Sequence, residues 1–309
     1  MTRRINYETW HLRTSNTKIS IMNRTGTSKH TFNIRVATRA EVDIAVDWAK
    51  QEGWNPGLND AECYYAADPN GFLVGTLDEI PIATISAIKY DDTFGFMGFY
   101  IVKPEFRGMG YGMQLWDAAL SYLHGCNIGL DGVVEQQENY RKSGFDLAYR
   151  NIRYEGLRQN RATSDGRIMR LSEIPFEQLE SYDRSFFPSQ RTDFTKTWIS
   201  QPECTALGIK AKGELAGYGV IRACASGHKI GPLFADNPEL AESLFLALIS
   251  SLKAGEVFYL DISELNPAAV ALAEKHHMQL VFETARMYSG EKPALPLLRT
   301  FGVTSFEVG

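Results

Sequence analysis

The second half of this 309-residue chain repeats the order of its first half, and that repeat limits the possible folds more than any other feature. Asn33–Val36 matches Ile168–Leu171, and Val74-Gly75 matches Leu207-Gly208. A strand glycine, Gly98, matches Gly231, 133 residues later. Gly129-Leu130-Asp131 matches Tyr259-Leu260-Asp261, and Tyr154-Glu155-Gly156 matches Tyr288-Ser289-Gly290, 134 residues on. Identity is low, but order and spacing hold across the unit. Solenoid repeats run at roughly 20–50 residues, so a period this long means a duplicated domain. The length agrees, since one domain takes roughly 100–200 residues. The polar stretch Leu157–Gly166, with Asn160, Ser164, Asp165 and Gly166, reads as a linker. The expected division is an N-terminal arm over 1–31, a first domain over 32–156 and a second over 167–309.

Within the first unit, Phe32–Ala37 alternates as a strand does. Thr38 with Glu41 three residues on forms a capping box for a helix carrying Ile44, Ala45 and Trp48. Gly53-Trp54-Asn55-Pro56-Gly57 breaks that helix. Gly71–Val74, Ile82–Tyr90 and Gly95–Val102 read as consecutive strands. A helix over Gly110–His124, a strand over Ile128–Val134, a short helix over Glu135–Ser143 closed by Gly144, and a strand over Leu147–Tyr154 complete the unit.

Composition excludes several classes. The chain is 44% hydrophobic and 22% charged, which suits a globular protein with real cores. Its 32 Lys+Arg against 37 Asp+Glu give a net charge of −5, and the pI is near 5.8. That balance argues against a nucleic-acid coat, which needs a cationic surface. No apolar run approaches the ~20 residues of a membrane span, so no membrane partner is expected. Met1–His30 has basic residues but no apolar centre, and is not read as a secretory signal. Cys63, Cys126, Cys204 and Cys224 form no C-x-x-C pair and read as reduced thiols in a cytoplasmic protein. His276-His277 would point ~100° apart on a helix, and H-E-x-x-H is missing, so no metal site is expected.

One motif carries chemistry. Val102-Lys103-Pro104-Glu105-Phe106-Arg107-Gly108-Met109-Gly110-Tyr111-Gly112 ends a strand and opens a helix. Gly108, Gly110 and Gly112 let a ligand approach the backbone. The first helical N–H groups lack partners and sit at the positive end of the helix dipole, which makes an anion cradle suited to a pyrophosphate. Arg107 can add a charge-assisted contact. Neither G-x-G-x-x-G nor G-K-[ST] is satisfied, so a dinucleotide fold and a P-loop both fail.

Arg107-x-x-Gly110-x-Gly112 after this strand end resembles the R-x-x-G-x-G/A motif of the GNAT superfamily of acyl-CoA-dependent N-acyltransferases. Tyr140-Arg141-Lys142-Ser143-Gly144-Phe145 resembles the family's Y-x-K-x-G-F box, with Lys142 at the lysine position. The resemblance covers roughly Phe32–Gly156, and Arg167–Gly290 looks like a degenerate copy. It implies an α/β (α+β) fold of two GNAT-like domains in tandem, each a mixed, mostly antiparallel sheet flanked by helices. Seven residues before the box tyrosine, where the family often has Asn, this chain has Val133.

The resemblance implies that acetyl-CoA, as co-substrate and with no metal, lies in a splay between two strands. The amides of Gly108, Met109, Gly110, Tyr111 and Gly112 would hold the pyrophosphate, with Arg107 flanking. The backbone N–H of Ile101 or Val102 would polarise the thioester carbonyl. Tyr140 would be the general acid for the leaving thiolate; the alternative is a packed aromatic whose hydroxyl bonds to backbone. Asp131, Glu135 and Tyr100 are near, and no general base is assigned among them. Trp54 follows the first helix, where the family places acceptor-side residues, and ordinary packing is the other reading. The function implied is N-acetyl transfer to the amine of a small metabolite, since a second domain can wall off a pocket. The alternative is a non-catalytic acyl-CoA-binding sensor or scaffold. The second unit, reading Gly231-Pro232-Leu233-Phe234-Ala235-Asp236-Asn237-Pro238, lacks the arginine and the motif glycines, so it is expected not to bind CoA. Asp236 or Asn237 can cap its helix instead. A fragment lacking residues 167–309 is expected to keep donor binding.

Overall fold

The computed structural model describes residues 17–20, 30–159 and 165–309. Most of the expected arm lies outside the described residues, as do Asn160 and Ser164 of the expected linker. Strand β1 (Thr17–Ser20) pairs antiparallel with β2 (Thr31–Val36). The first half continues through α1 (Arg39–Gln51), α2 (Asp60–Ala67), β3 (Phe72–Leu77), β4 (Ile80–Lys89), β5 (Phe94–Val102), α3 (Tyr111–Tyr122), β6 (Asn127–Val133), α4 (Gln137–Lys142) and β7 (Asp146–Leu157). The second half runs β8 (Ile168–Arg170), α5 (Phe176–Asp183), α6 (Thr192–Ser200), β9 (Cys204–Ala211), β10 (Glu214–Ala223), β11 (His228–Ala235), α7 (Pro238–Ser250), β12 (Val257–Ser263), α8 (Pro267–Lys275) and β13 (Gln279–Tyr288). From β2 to β7 and from β8 to β13 the elements correspond one for one. Strand β14 (Thr300–Gly302) has no counterpart among the described residues of the first half.

Local chemistry sets several of these elements. Thr38 caps α1: its Oγ1 accepts from Glu41 N at 3.3 Å, and its own N–H donates to Glu41 Oε2 at 2.8 Å. Arg35 also grips Glu41, and mainly this bond holds the Glu41 carboxyl near 2, about where a strongly paired carboxylate titrates. Gly144 ends α4 with φ +90°, a conformation that favours glycine. Helix α2 is not visible in the sequence pattern, because its first residue, Asp60, is fully buried. There Asp60 accepts from Arg222 of β10 at 2.8 and 3.1 Å, which ties the two halves together.

All the described strands form one sheet, ordered β1-β2-β3-β4-β5-β6-β13-β7-β12-β11-β10-β9-β8, with β14 added on β11. The last strand of each half therefore lies in the sheet of the other. β13 sits between β6 and β7, and β7 sits between β13 and β12. Two ion pairs lock the exchange. Asp131 of β6 stands opposite Arg286 of β13, with bonds of 2.9 and 2.6 Å. Asp261 of β12 stands opposite Arg153 of β7, with bonds of 2.7 and 2.8 Å. All four side chains are at most 7% exposed. Burial alone would raise the Asp261 carboxyl, but the Arg153 guanidinium, together with Lys229 and Arg222, holds it below the ordinary range.

This topology revises the expectation for a fragment without residues 167–309. Such a fragment loses β13, which is the neighbour of both β6 and β7, so two strand edges next to the site open to solvent. The ion pairs make a stability prediction. Arg286→Ala leaves the Asp131 carboxylate buried without its cation, and should cost about 3–5 kcal/mol in urea unfolding. Arg153→Ala should cost a similar amount. Losses under about 1 kcal/mol for both would show that the pairs do not lock the exchanged strands.

Candidate active site

β5 and β6 pair in parallel from Phe94↔Asn127 to Met97↔Leu130 and then diverge. A cavity of about 940 Å³ opens between them. At one end lies the motif turn, whose Arg107, Gly108, Gly110 and Gly112 line the wall. Gly110 caps α3 at φ +86° and brings no side-chain cap, while Gly108 has φ +76°. A Cβ at either position would meet nothing within 4 Å. The left-handed backbone, not crowding, calls for glycine there, and the N-terminal amides of α3 stay open to an anion. Gly112 has a different role: a Cβ there would stand 2.6 Å from the Tyr100 hydroxyl, so this glycine seats α3 on β5.

Arg107 braces the turn. Its Nε donates to the Val102 carbonyl at 2.7 Å, and its guanidinium pairs with Glu52 just beyond α1 at 2.5 Å. Ile101 and Val102 both line the cavity at the end of β5. The side chains of Met109 and Tyr111 do not. Met109 projects into solvent, and Tyr111 packs on Phe32 at a ring distance of 4.7 Å. Only their backbone N–H groups could serve a ligand.

Tyr140, Lys142 and Ser143 form the opposite wall. The Tyr140 ring stacks on Trp116 at 5.7 Å and lies flat on β6, where a Cβ at Gly132 would come within 2.1 Å of the ring. No described residue hydrogen-bonds the Tyr140 hydroxyl, which removes the backbone bond that a purely structural tyrosine would make. Burial pushes the phenol up to about 12, so it keeps its proton at neutral pH. The Trp116 indole N–H in the same wall is buried with no partner among the described residues. Open amides, an unpaired indole donor and a protonated phenol fit an acyl-CoA with its phosphates at the turn.

The far wall comes from the other half of the chain: Phe282 and Thr284 of β13, and Phe306 and Glu307 beyond β14. Trp54 lines the same cavity, and its carbonyl accepts from Arg153 at 2.8 Å. The sequence reading found Trp54 but none of these four, because their place depends on the strand exchange. Asp131 also lines the cavity, but its carboxylate is spent on Arg286 and on Asn151 at 2.9 Å.

The second half has the same splay, and it is filled. β11 and β12 pair in parallel only from His228↔Phe258 to Ile230↔Leu260. β14 then pairs with β11 at Leu233↔Gly302 and Phe234↔Thr300, and Val303 N donates to Asp261 O at 2.9 Å. Asn237 caps α7 by accepting from Leu240 N at 3.0 Å, and Pro238 follows it. Asp236 does not cap; it pairs with Arg299 at 2.5 Å and accepts from the Tyr182 hydroxyl. Among the described residues there is no group of three or more potential metal ligands, and no helix is long and apolar enough to cross a membrane.

A splayed strand pair leading into a helix start, present twice along one chain and once with an open glycine turn, defines the class as tandem acyl-transferase folds. Residues 40–145 match the acetyltransferase (GNAT) family, and residues 179–302 match an acetyltransferase (GNAT) domain. The chain belongs to the GNAT superfamily, as a tandem GNAT acyltransferase. It is 28% identical over 279 residues to the holothin acyltransferase of a Pseudoalteromonas species, covering 90% of this chain and 95% of that one. An uncharacterized Bacillus subtilis N-acetyltransferase, YitH, is 24% identical over 163 residues, 52% of this chain and 56% of its own. Among solved structures, a Pyrococcus horikoshii protein has a TM-score of 0.77 at 23% identity, over 90% of this chain and 96% of that one. A tandem GNAT protein from the clavulanic acid biosynthesis pathway has a TM-score of 0.59 at 10% identity, over 85% and 100%.

The glycine turn makes a binding prediction. Gly110→Asp puts bulk and negative charge beside the open amides of α3, at an exposed position. Acetyl-CoA affinity in calorimetry should fall on the order of 100-fold, about 2.7 kcal/mol, with the circular dichroism spectrum unchanged. Unchanged affinity in the folded variant would remove the turn from the donor site.

Proposed function

We propose that this protein transfers an acetyl group from acetyl-CoA to the amine of a small metabolite. The observation that carries the reading is that the second half of the chain walls the cavity beside the open turn, through Phe282, Thr284, Phe306 and Glu307. The relative named for acylating holothin supports a small-molecule acceptor. Under this reading residues 32–156 hold the donor, and residues 167–309 complete the acceptor pocket. The four cysteines, unpaired in the structure, suit a cytoplasmic protein.

The chain's contribution is mostly positioning. Two substrates held in one cavity react as if at high local concentration. The amides of Gly108–Gly112 bind the pyrophosphate, and Ile101 or Val102 offers a backbone N–H to the thioester carbonyl oxygen as charge develops there. The amine nitrogen bonds to the carbonyl carbon, and the carbon–sulfur bond breaks. Tyr140 donates its proton to the leaving sulfur and regains one from the new amide nitrogen. The products are the N-acetyl compound and free CoA thiol.

Tyr140→Phe should lower kcat by ~10²–10⁴-fold with acetyl-CoA affinity unchanged. Thiol release from acetyl-CoA with a panel of primary amines, and with holothin, measures it. Because burial raises the Tyr140 phenol to about 12, loss of its proton should not depress wild-type kcat below about pH 11. Wild-type turnover in Tyr140→Phe would leave Tyr140 as packing. Acetyl-CoA binding with no thiol release from any amine would favour a sensor over an enzyme.

A further inference from the structure

Three carboxylates line the cavity: Glu52, Asp131 and Glu307. Glu52 is paired with Arg107, and Asp131 with Arg286. Glu307 is only 4% exposed, yet it has no ion pair with any described lysine or arginine. The buried aspartates at the junction of the halves, Asp60, Asp183 and Asp261, are each gripped by an arginine. Glu307 is therefore the cavity carboxylate not committed to a cation.

Its position is built from both repeats. The segment Val303–Gly309 crosses from β11 to β5 and rests on the two matched glycines. A Cβ at Gly231 would stand 2.6 Å from the Thr304 carbonyl oxygen and 2.7 Å from that of Val303. A Cβ at Gly98 would stand 2.2 Å from the Glu307 carbonyl oxygen. The Tyr90 hydroxyl donates to Val308 O at 2.7 Å, and Arg191 donates to Thr304 Oγ1 at 3.2 Å. Ser305 Oγ accepts from Glu307 N at 2.9 Å, so its single proton is directed to Glu307 Oε2, 2.5 Å away. The Tyr64 hydroxyl is 3.3 Å from the same oxygen, but closer, at 3.0 Å, to Asp60 Oδ2. Both neighbours address Oε2, and Oε1 takes no hydrogen bond from a described residue. Other charges act on Glu307 at longer range: Arg153 from β7, Lys229 from β11 and Asp131 from β6.

We infer that Glu307 is the acceptor-side base: its Oε1 takes a proton from the substrate ammonium and frees the nitrogen lone pair for attack on the thioester carbonyl. The assignment rests on the acyl-transfer reading. At neutral pH an alkylammonium group is almost wholly protonated and cannot attack, so the step is required. An oriented carboxylate with one free oxygen and no cation bound to it can take that proton, and the proton passes to water after turnover. The overall balance is an ammonium compound and acetyl-CoA giving the N-acetyl compound, CoA thiol and one proton.

The test is thiol release by wild type and Glu307→Gln over about pH 6 to 10 with acetyl-CoA and a panel of primary alkylamines. Acetyl-CoA affinity is measured in parallel by calorimetry. Near pH 7, Glu307→Gln should lose ~10²–10⁴-fold in kcat/KM with donor affinity unchanged. The deficit should shrink by about tenfold per pH unit as the free amine becomes abundant. A loss of equal size at every pH would mean that Glu307 only anchors the acceptor, and would overturn the assignment, as would wild-type rates at pH 7. If Glu307→Gln does not fold, Glu307→Asp decides: it keeps a carboxylate and should keep the wild-type pH profile at a lower rate, and a deficit that shrinks with pH there would count against the base. Turnover by wild type with an unaltered variant sinks the assignment of Glu307 alone. Donor binding with no turnover by wild type sinks the acyl-transfer reading and the assignment with it.

Discussion

The exchange of closing strands, held by two crossed aspartate–arginine pairs, is the constraint on which the rest of this molecule depends. Asp131 and Asp261 occupy matching places in the two repeats, and each grips an arginine on the strand supplied by the other half. Burying such pairs yields little net stability when both partners are present, but leaving one partner alone is costly. The pairs therefore tie the closing strand of each half to the other half, and loss of either arginine would leave a buried carboxylate without its cation. Because of the exchange, β13 borders the first splay, and Phe282 and Thr284 become part of its cavity.

The two halves put the same splay to opposite uses. In the first, α3 begins at an uncapped glycine turn and the space between β5 and β6 stays open. In the second, Asn237 satisfies the start of α7, and β14 lies against β11 where the strands part. The chain thus fills one splay with its own backbone and leaves the other open. The residues that follow β14 run on to the open site, so filling the second splay and walling the first are done by one continuous segment.

Much of this was legible in the sequence, for physical reasons. Capping chemistry is local, so Thr38 with Glu41 could be read directly, and the cap of α7 was narrowed to Asp236 or Asn237 before the structure placed it on Asn237. The glycine turn was legible because a ligand approaching backbone needs residues without side chains, and Tyr140 followed from the family box. What could not be read is nonlocal. Leu147–Tyr154 and Gln279–Tyr288 show a strand pattern whichever neighbour they take, so the exchange left no local mark. Helix α2 was missed because Asp60 looks like a surface residue until Arg222, 162 residues away, is placed beside it. Gly98 and Gly231 were visible as a matched pair, but only the structure shows that both make room for the Val303–Gly309 backbone. Glu307 had no signal at all, since nothing in its neighbours along the chain points to a cavity built by the other half.

The central claim is that one splay is open to a donor and the other is filled. Equilibrium titration of the full chain with acetyl-CoA by calorimetry tests it most directly. The account predicts one site per chain. Two sites per chain would contradict it, because β14 would then have to leave the second splay, and no measurable binding would contradict it as well.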